Sequence, residues 1–280
     1  AITTVTKALM EEQEANSLRE ALRNVSGLTF NAAEGGRSGD NMMLRGFYTF
    51  GDLYLDGIRD TAQYNREVFN LEQVDVLRGS AAMLFGRGQA GGVINQVSKT
   101  PMLYGINKAG VGIGTNGFQE VKADINQRIG ESTAVRLNVM NRDEGSARSN
   151  PYTGTEPEIH RSGVAPSISF GLGTPHEVTL SHLWVKTRDN ADYGIPFVNR
   201  RPNEAMAKAG NYYGVDAGFD NSDTNVTTAS YLHTIAPNTQ WRTVLRKANY
   251  KRSYWAVAGQ GALTAASTST QAKTREFETD

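Results

Sequence analysis

Hydrophobic and polar residues alternate along much of the chain after residue 105, with the period of two that is typical of β-strands. In the segment 121–129 one face carries Val121, Ala123, Ile125 and Ile129, whereas the other carries Lys122, Asp124, Asn126 and Arg128. The pattern predicts eight strands, at 105–114, 119–129, 134–143, 163–172, 176–187, 224–235, 239–254 and 270–280.

The apolar face of these strands could pack against a second sheet or face lipid. In a soluble sandwich it points inward, whereas in a transmembrane barrel it points outward and the polar face lines the lumen. The predicted polar face carries Lys122, Asp124, Arg128, Arg136 and Arg142. So many charges favour a barrel wide enough to hold water or a plug.

The connections between the predicted strands alternate in length after the first hairpin. The segments 130–133, 173–175 and 236–238 are short, whereas 144–162 and 188–223 are long. Outer-membrane barrels have short periplasmic turns and long external loops. This alternation predicts that the strand 105–114 runs outward from the periplasm.

The first hundred residues show a different pattern, centred on 72–99. Val74 and Val76 alternate with polar residues in a predicted strand that ends at a turn containing Gly79. Gly91 and Gly92 then precede a second short apolar strand. We expect another backbone to approach these glycines closely.

Composition excludes several chemistries. The chain has no cysteine, and its four histidines lack the spacing of metal ligands, so neither a disulfide framework nor a metal or catalytic site is expected. The 29 basic and 29 acidic residues give no net charge that would favour nucleic acid. Mean hydropathy is −0.46, and no run approaches the roughly 20 apolar residues of a membrane helix.

One motif suggests an alternative function. Residues 86–91 satisfy the pattern G-x-G-x-x-G, but a dinucleotide site needs a preceding strand, a following helix and an acidic residue about 20 positions later. A strand-like segment follows instead. A nucleotide-binding enzyme is therefore disfavoured, although the sequence keeps it open beside a soluble β-rich binding module.

The glycine-rich motifs together resemble the plug domain of TonB-dependent outer-membrane receptors. The matching runs are LRG at 77–79, FG at 85–86, GGVIN at 91–95, LRGF at 44–47 and YLDG at 54–57. Upstream, residues 2–6 and 18–28 resemble the first plug strand and its helix, with Ser26 where the family usually has proline. The resemblance implies an α+β plug domain at 1–104 and an antiparallel transmembrane β-barrel from 105 to 280.

The long segment 188–223 resembles an external loop of siderophore receptors. A ferric tris-catecholate is a trianion, which aromatic rings can stack against and guanidinium groups can neutralise. The resemblance nominates external ligand contacts at Tyr193, Phe197, Arg200, Arg201, Tyr212 and Tyr213. For each residue the sequence leaves open that it only helps to fold the loop.

The resemblance also assigns roles within the plug. Its outward tips nominate ligand contacts at Tyr48, Phe50, Arg59, Gln63, Tyr64, Asn65 and Phe69, each of which could instead be a packing residue. Arg45 and Arg78 would hold the plug by engaging acidic residues of the barrel wall.

The implied function is import without covalent chemistry or a covalently bound cofactor. A ferric siderophore would bind outside and pass to the periplasm with energy from TonB of the TonB-ExbB-ExbD complex. The barrel would contact outer-membrane lipid and lipopolysaccharide in a Gram-negative bacterium, with no role for nucleic acid. Haem, cobalamin or a sugar could replace the siderophore. A barrel of this class has about 22 strands, of which some eight are expected here, and the TonB box is missing, so we expect part of a longer receptor.

Overall fold

A computed structural model of the chain describes residues 2–30, 40, 42–49, 52–86, 91–190, 192, 194–195, 197–199, 201–214, 216–257 and 270–279. Side chains are not described at 80, 81, 84, 197, 198, 255–257 and 270–279. The chain divides into two compact units, Ala1–Lys99 and Thr100–Asp280.

The first unit contains short helices and two small sheets. Its elements are β1 Ile2–Thr6, α1 Lys7–Glu12, α2 Leu18–Leu22, β2 Leu28–Phe30, β3 Met42–Leu44, β4 Phe47–Tyr48, β5 Leu53–Leu55, β6 Ile58–Arg59, β7 Leu71–Leu77, a 3₁₀ helix Gly79–Phe85 and β8 Val93–Ser98. One sheet has the order β1-β7-β8-β5-β6, and the other has the order β2-β3-β4. The strand at 2–6 and the helix at 18–22 are those that the sequence predicts.

Two hairpins of the first unit close through a two-residue turn with positive φ at both positions. Arg45 and Gly46, between β3 and β4, have φ of 54° and 84°. Asp56 and Gly57, between β5 and β6, have φ of 51° and 81°. Such turns match the twist of the flanking strands and favour glycine at the second position. The RG motif at 45–46 and the DG motif at 56–57 are therefore hairpin turns.

The predicted close approach at Gly91 and Gly92 is confirmed. A side chain at Gly91 would collide with the carbonyl oxygen of Leu44, and one at Gly92 with that of Leu77. A strand, β8, follows this corner, whereas a dinucleotide site requires a helix there.

The second unit is one antiparallel sheet with a subdomain at one end. Its elements are β9 Ile106–Ile113, β10 Gln119–Arg128, β11 Ala134–Glu144, β12 Glu158–Phe170, β13 His176–Asn190, β14 Phe197–Val198, β15 Arg201–Pro202, α3 Glu204–Lys208, β16 Phe219–Ala236, β17 Thr239–Val257 and β18 Thr270–Thr279. The large sheet has the order β18-β17-β16-β13-β12-β11-β10-β9. These are the eight strands predicted.

Two strand starts were predicted too late. β12 begins at Glu158 rather than 163, and β16 begins at Phe219 rather than 224. Most of the missed residues are polar, but they pair across strands: Arg161 bonds to Asp189, and Asp220 bonds to Arg252. The predicted loop 188–223 is correspondingly shorter.

The two faces of the large sheet are inverted relative to a water-soluble protein. Val121 and Ile125 on β10 are exposed, and so are Val111 on β9 and Leu137 on β11, which pair with them. The opposite face buries charged groups, among them Asp124. No helix among the described residues is long and apolar enough to cross a membrane.

Candidate functional site

The longer connections of the large sheet lie at one end of it. Segments 145–157 and 191–218 follow β11 and β13, whereas the opposite end has the short turns 129–133, 171–175 and 237–238. Because long connections of outer-membrane barrels are external, we name 145–157 and 191–218 the external segments.

Backbone and side-chain bonds join the two external segments. Ser149 and Asn211 form a parallel bridge, and the amide of Tyr212 donates to the carbonyl of Ser149 at 2.9 Å. The Asn150 side chain donates to Asp216 at 3.2 Å. These bonds tie the two segments along several residues.

A charged contact adds to this junction. The guanidinium of Arg148 lies 3.3 Å from the carboxylate of Asp192. Both side chains are partly exposed, so the pair contributes little free energy by itself. Its position before Ser149 extends the line of contacts between the segments.

Tyr212 lies at the centre of this junction, with only 1% of its surface exposed. Its hydroxyl donates to the side-chain oxygen of Asn190, at the end of β13, at 2.9 Å. Burial, together with Asp192 and Asp216, raises the pKa of the Tyr212 phenol, so the hydroxyl stays a donor. Gly214 faces the ring so closely that any side chain there would collide with it.

The other predicted external contacts fall in different places. Tyr193 and Arg200 lie outside the described residues, and for Phe197 only the backbone, in β14, is described. Arg201 is exposed in β15. Tyr213 is partly buried and donates to the carbonyl of Met206 in α3 at 3.0 Å. The structure therefore brings Tyr212 and Tyr213 together as loop-forming residues and leaves Arg201 facing outward.

Arg188 and Asp223, the predicted ends of the long loop, belong to strands instead. They lie on the neighbouring strands β13 and β16, and Asp223 accepts two bonds from Arg188 at 3.0 and 3.1 Å. The loop bounds predicted from the sequence were therefore wrong, because this charge pairing between strands is not visible in one segment alone.

Charged side chains on the buried face of the large sheet form ion pairs. Arg136 makes a bidentate bond to Asp124, at 2.9 and 2.8 Å, and also donates to the carbonyl of Thr100. Arg252 bonds Asp220 in the same manner at 3.0 and 3.2 Å. These residues hold adjacent or nearby strands together.

The predicted contacts in the first unit divide by exposure. Tyr48 and Arg59 are exposed, and Gln63 and Asn65 are partly buried. Phe50 lies outside the described residues. Tyr64 and Phe69 are buried in the unit. Gln63, Tyr64 and Asn65 are consecutive in one segment, whereas Tyr48 and Arg59 lie on two separate hairpins.

Arg66, which the sequence analysis missed, organises that segment. Its guanidinium donates to the carboxylate of Asp60 at 2.8 Å, to that of Asp40 at 3.3 Å and to the carbonyl of Ala62 at 2.8 Å, and its charge lies over the ring of Tyr64. Burial lowers the pKa of Arg66, but these partners outweigh it and raise the pKa overall. No local pattern signals this role, since one of the two carboxylate partners, Asp40, lies 26 positions away.

Comparisons with known proteins decide the family. The model of the TonB-dependent receptor plug domain matches residues 1–93. The catecholate siderophore receptor Fiu of Escherichia coli K12 is 36% identical over 93% of this chain and 36% of its own length. The probable TonB-dependent siderophore receptor PiuA of Acinetobacter baumannii is 35% identical over 90% of this chain and 34% of its own.

Solved structures agree with these relatives. The crystal structure of PiuA has a TM-score of 0.82 at 33% identity, covering 92% of this chain and 37% of that one. The open form of Fiu has a TM-score of 0.82 at 33% identity, covering 99% of this chain and 44% of that one. This chain belongs to the TonB-dependent receptors.

As a TonB-dependent receptor, the protein resides in the outer membrane of a Gram-negative bacterium. Its fold is a plug domain followed by antiparallel strands of the family's barrel. The chain spans about a third of the length of the curated relatives it matches.

The two plug arginines of the RG motifs lie in different surroundings within the first unit. Arg78 donates to the hydroxyl of Thr3 at 2.8 Å and to the carbonyl of Ser26 at 2.7 Å. Arg45 is exposed in its hairpin turn. Arg78 therefore ties β1 to the turn after α2, and the latch to the barrel wall stays a prediction for both arginines.

Proposed function

We propose that the receptor imports a ferric siderophore of the catecholate class across the outer membrane. The observation that carries this proposal is the 36% identity to the catecholate siderophore receptor Fiu over 93% of the chain. The energy for import would come from TonB of the TonB-ExbB-ExbD complex. We further propose that the plug domain extends to residue 104.

The large sheet supports a membrane-spanning role for the second unit. Its exposed face is apolar, and its buried face is neutralised by ion pairs such as Arg136 with Asp124. An apolar outward band is what contact with lipid requires. We propose that this face contacts outer-membrane lipid and lipopolysaccharide.

The proposed reaction cycle involves binding and movement without covalent chemistry. Among the residues that the structure describes, no group of three or more His, Cys, Asp or Glu side chains could hold a metal ion. In this proposal iron enters only as part of the transported ligand.

The exposed and partly buried candidates are the better ligand contacts. Arg201 offers a charged guanidinium to an anionic chelate, which it can bind through two parallel bonds. We propose Arg201 on the outer side, with Tyr48, Arg59, Gln63 and Asn65 on the plug. We propose that Tyr64, Phe69, Tyr212 and Tyr213 support these positions from within their own units.

Ligand binding to the full-length receptor in detergent tests the proposal. Quenching of intrinsic fluorescence would be titrated with a ferric catecholate, a ferric hydroxamate, haem and cobalamin. We expect tight binding of the ferric catecholate alone, and about a tenfold or greater weakening in Arg201→Ala, as for loss of a charge-assisted bond.

The matched control is Arg128→Ala. Arg128 is also exposed on the second unit but caps the short turn 129–133, bonding the carbonyls of Gly130 and Glu131. We expect unchanged affinity there. Tight binding of haem or cobalamin in place of the catecholate would refute the substrate, and equal affinities of wild type and Arg201→Ala would refute the site.

A further inference from the structure

Backbone and side-chain bonds join the external segments at several positions. Backbone bonds link Ser149 with Gly210 and Tyr212, and side-chain bonds link Asn150 with Asp216 and Arg148 with Asp192. The contacts run over several consecutive residues of each segment. They form a small parallel junction of the kind found inside sheets.

The junction also has a packed centre. Tyr212 is buried, its amide is bonded to Ser149, and its hydroxyl is bonded to Asn190. Burying a tyrosine favours association, and its satisfied hydroxyl removes the penalty for an unpaired polar group. Separating the segments would expose this ring and break all of these bonds together.

The junction continues towards the exposed arginine. Tyr213, beside Tyr212, donates to the carbonyl of Met206 in α3. The same helix is capped by the Asn203 side chain, which accepts from the amide of Met206, and Arg201 lies two residues before that cap. These bonds connect Tyr212 to the neighbourhood of Arg201 through Tyr213 and α3.

We propose that segments 145–157 and 191–218 form one external arm that moves as a single body, in which Tyr212 is the positioning residue for Arg201. The ligand part of this inference rests on the proposed function, because Arg201 is taken to contact the ferric siderophore. The rigid-body part stands without any ligand.

An engineered disulfide tests the rigid body. These 280 residues contain no cysteine, so Ser149→Cys with Asn211→Cys places a single cysteine pair in this part of the receptor. Residues paired across neighbouring strands lie about 5 Å apart, which is within the range of a disulfide. Neither residue is a proposed ligand contact. We expect the disulfide to form in the ligand-free, full-length receptor, with the two single-cysteine variants as controls.

Uptake of ferric catecholate by cells then separates two outcomes. If the segments move as one body, uptake is within about twofold of wild type whether or not the disulfide is reduced with dithiothreitol. A tenfold or greater loss that dithiothreitol restores would mean that the segments must separate, and would overturn the inference. Failure of the pair to oxidise would overturn it as well, since the two residues would not be adjacent.

A double-mutant cycle tests the positioning role. We expect Tyr212→Phe, which removes the hydroxyl that donates to Asn190, to weaken ferric catecholate binding about three- to tenfold while heat-modifiability of the barrel is unchanged. In an Arg201→Ala background the same change should have no further effect, because Tyr212 acts through Arg201. Additive losses would overturn the positioning role.

The matched control for this cycle is Tyr104→Phe. Tyr104 is exposed and precedes β9 at the end of the sheet that carries the short turns. Tyr104→Phe should leave the affinity for the ferric catecholate unchanged, both in wild type and in the Arg201→Ala background. If wild type binds none of the ferric siderophores tested, the proposed function fails, whereas failure of the cysteine pair to oxidise would still overturn the rigid body by itself.

Discussion

The plug and the barrel strands place their apolar residues in opposite ways. In the plug, the apolar side chains of Leu22, Leu44 and Val76 are buried, as in any water-soluble domain. In the barrel strands, Val121 and Leu245 are exposed while Asp124 and Arg136 are buried. The plug therefore distributes its apolar side chains as a domain in water does, whereas the large sheet distributes them as our proposed contact with lipid requires.

The contrast shows what stabilises each unit. Burial of apolar area is available to the plug but contributes little between the barrel's strands and lipid, because lipid is itself apolar. The barrel strands rely on continuous backbone pairing and on bidentate ion pairs such as Arg136 with Asp124. The comparison can be tested by substitutions that change a buried charge or an exposed apolar side chain in one unit at a time.

The largest expected effect comes from breaking a buried ion pair. Arg136→Met leaves the Asp124 carboxylate buried without its cation and should destabilise the full-length receptor by about 3–5 kcal/mol. Urea unfolding in lipid vesicles, followed by tryptophan fluorescence, measures the change. Adding Asp124→Leu to the same protein should recover most of the loss. A loss below about 1 kcal/mol for Arg136→Met would contradict the ion-pair account.

Alternation of side chains made this half of the fold predictable from sequence. The period of two gave all eight strands and the correct polar face, because both depend on local order along the chain. The starts of β12 and β16 were missed because Arg161 and Asp220 look like loop residues until their partners on other strands are known.

The site was less predictable than the fold for the same reason. The aromatic residues of 188–223 were visible, but the sequence does not reveal that Tyr212 bonds to Asn190 and Ser149, which lie 22 and 63 positions away. Arg66 was missed because its partners, such as Asp40, form no local motif. Distinguishing a ligand contact from a loop support therefore required three-dimensional neighbours.

The next largest change in stability is expected from placing a charge at an exposed apolar position of each unit. Leu245→Arg, at a side chain that is 71% exposed in β17, should cost about 2–4 kcal/mol if this face contacts lipid as we propose. Leu9→Arg, at an exposed position of α1 in the plug, should change stability by no more than about 0.5 kcal/mol. Both are measured by the same unfolding assay.

Leu245→Val is the conservative control, and it should leave the barrel nearly unchanged because the side chain stays apolar. Equal tolerance of arginine at both positions would show that the exposed face of the large sheet meets water, and would remove the contrast between the units.

A pH effect is expected in the plug. Asp52 is buried before β5, and no described group bonds its Oδ1. Burial raises the pKa of Asp52 to about 6 from 3.8, although the charge of Arg59 opposes this shift. Because the folded pKa is raised, the stabilising contribution is present below pH 3.8 and is lost as the pH rises through about 6.

Asp52→Asn removes that dependence. At pH 7.5 the variant should be more stable than wild type, by on the order of 2 kcal/mol, whereas at about pH 3, below both pKa values, the difference should nearly vanish. Hydrogen exchange of the amides in β5 and β8, compared between the two proteins at each pH, measures it. A difference that is the same at both pH values would assign the effect to the amide rather than to ionisation.

The smallest expected effect compares one glycine from each unit. Gly46 has φ of 84° in a plug hairpin, where alanine is strained, so Gly46→Ala should cost about 1 kcal/mol. Gly110 in β9 has open space at the position of a side chain and no positive φ, so Gly110→Ala should be neutral or stabilise by up to about 1 kcal/mol. Opposite signs in urea unfolding would mean that turn geometry limits the plug, whereas strand pairing in the barrel tolerates an added methyl group. The same sign at both sites would refute that distinction.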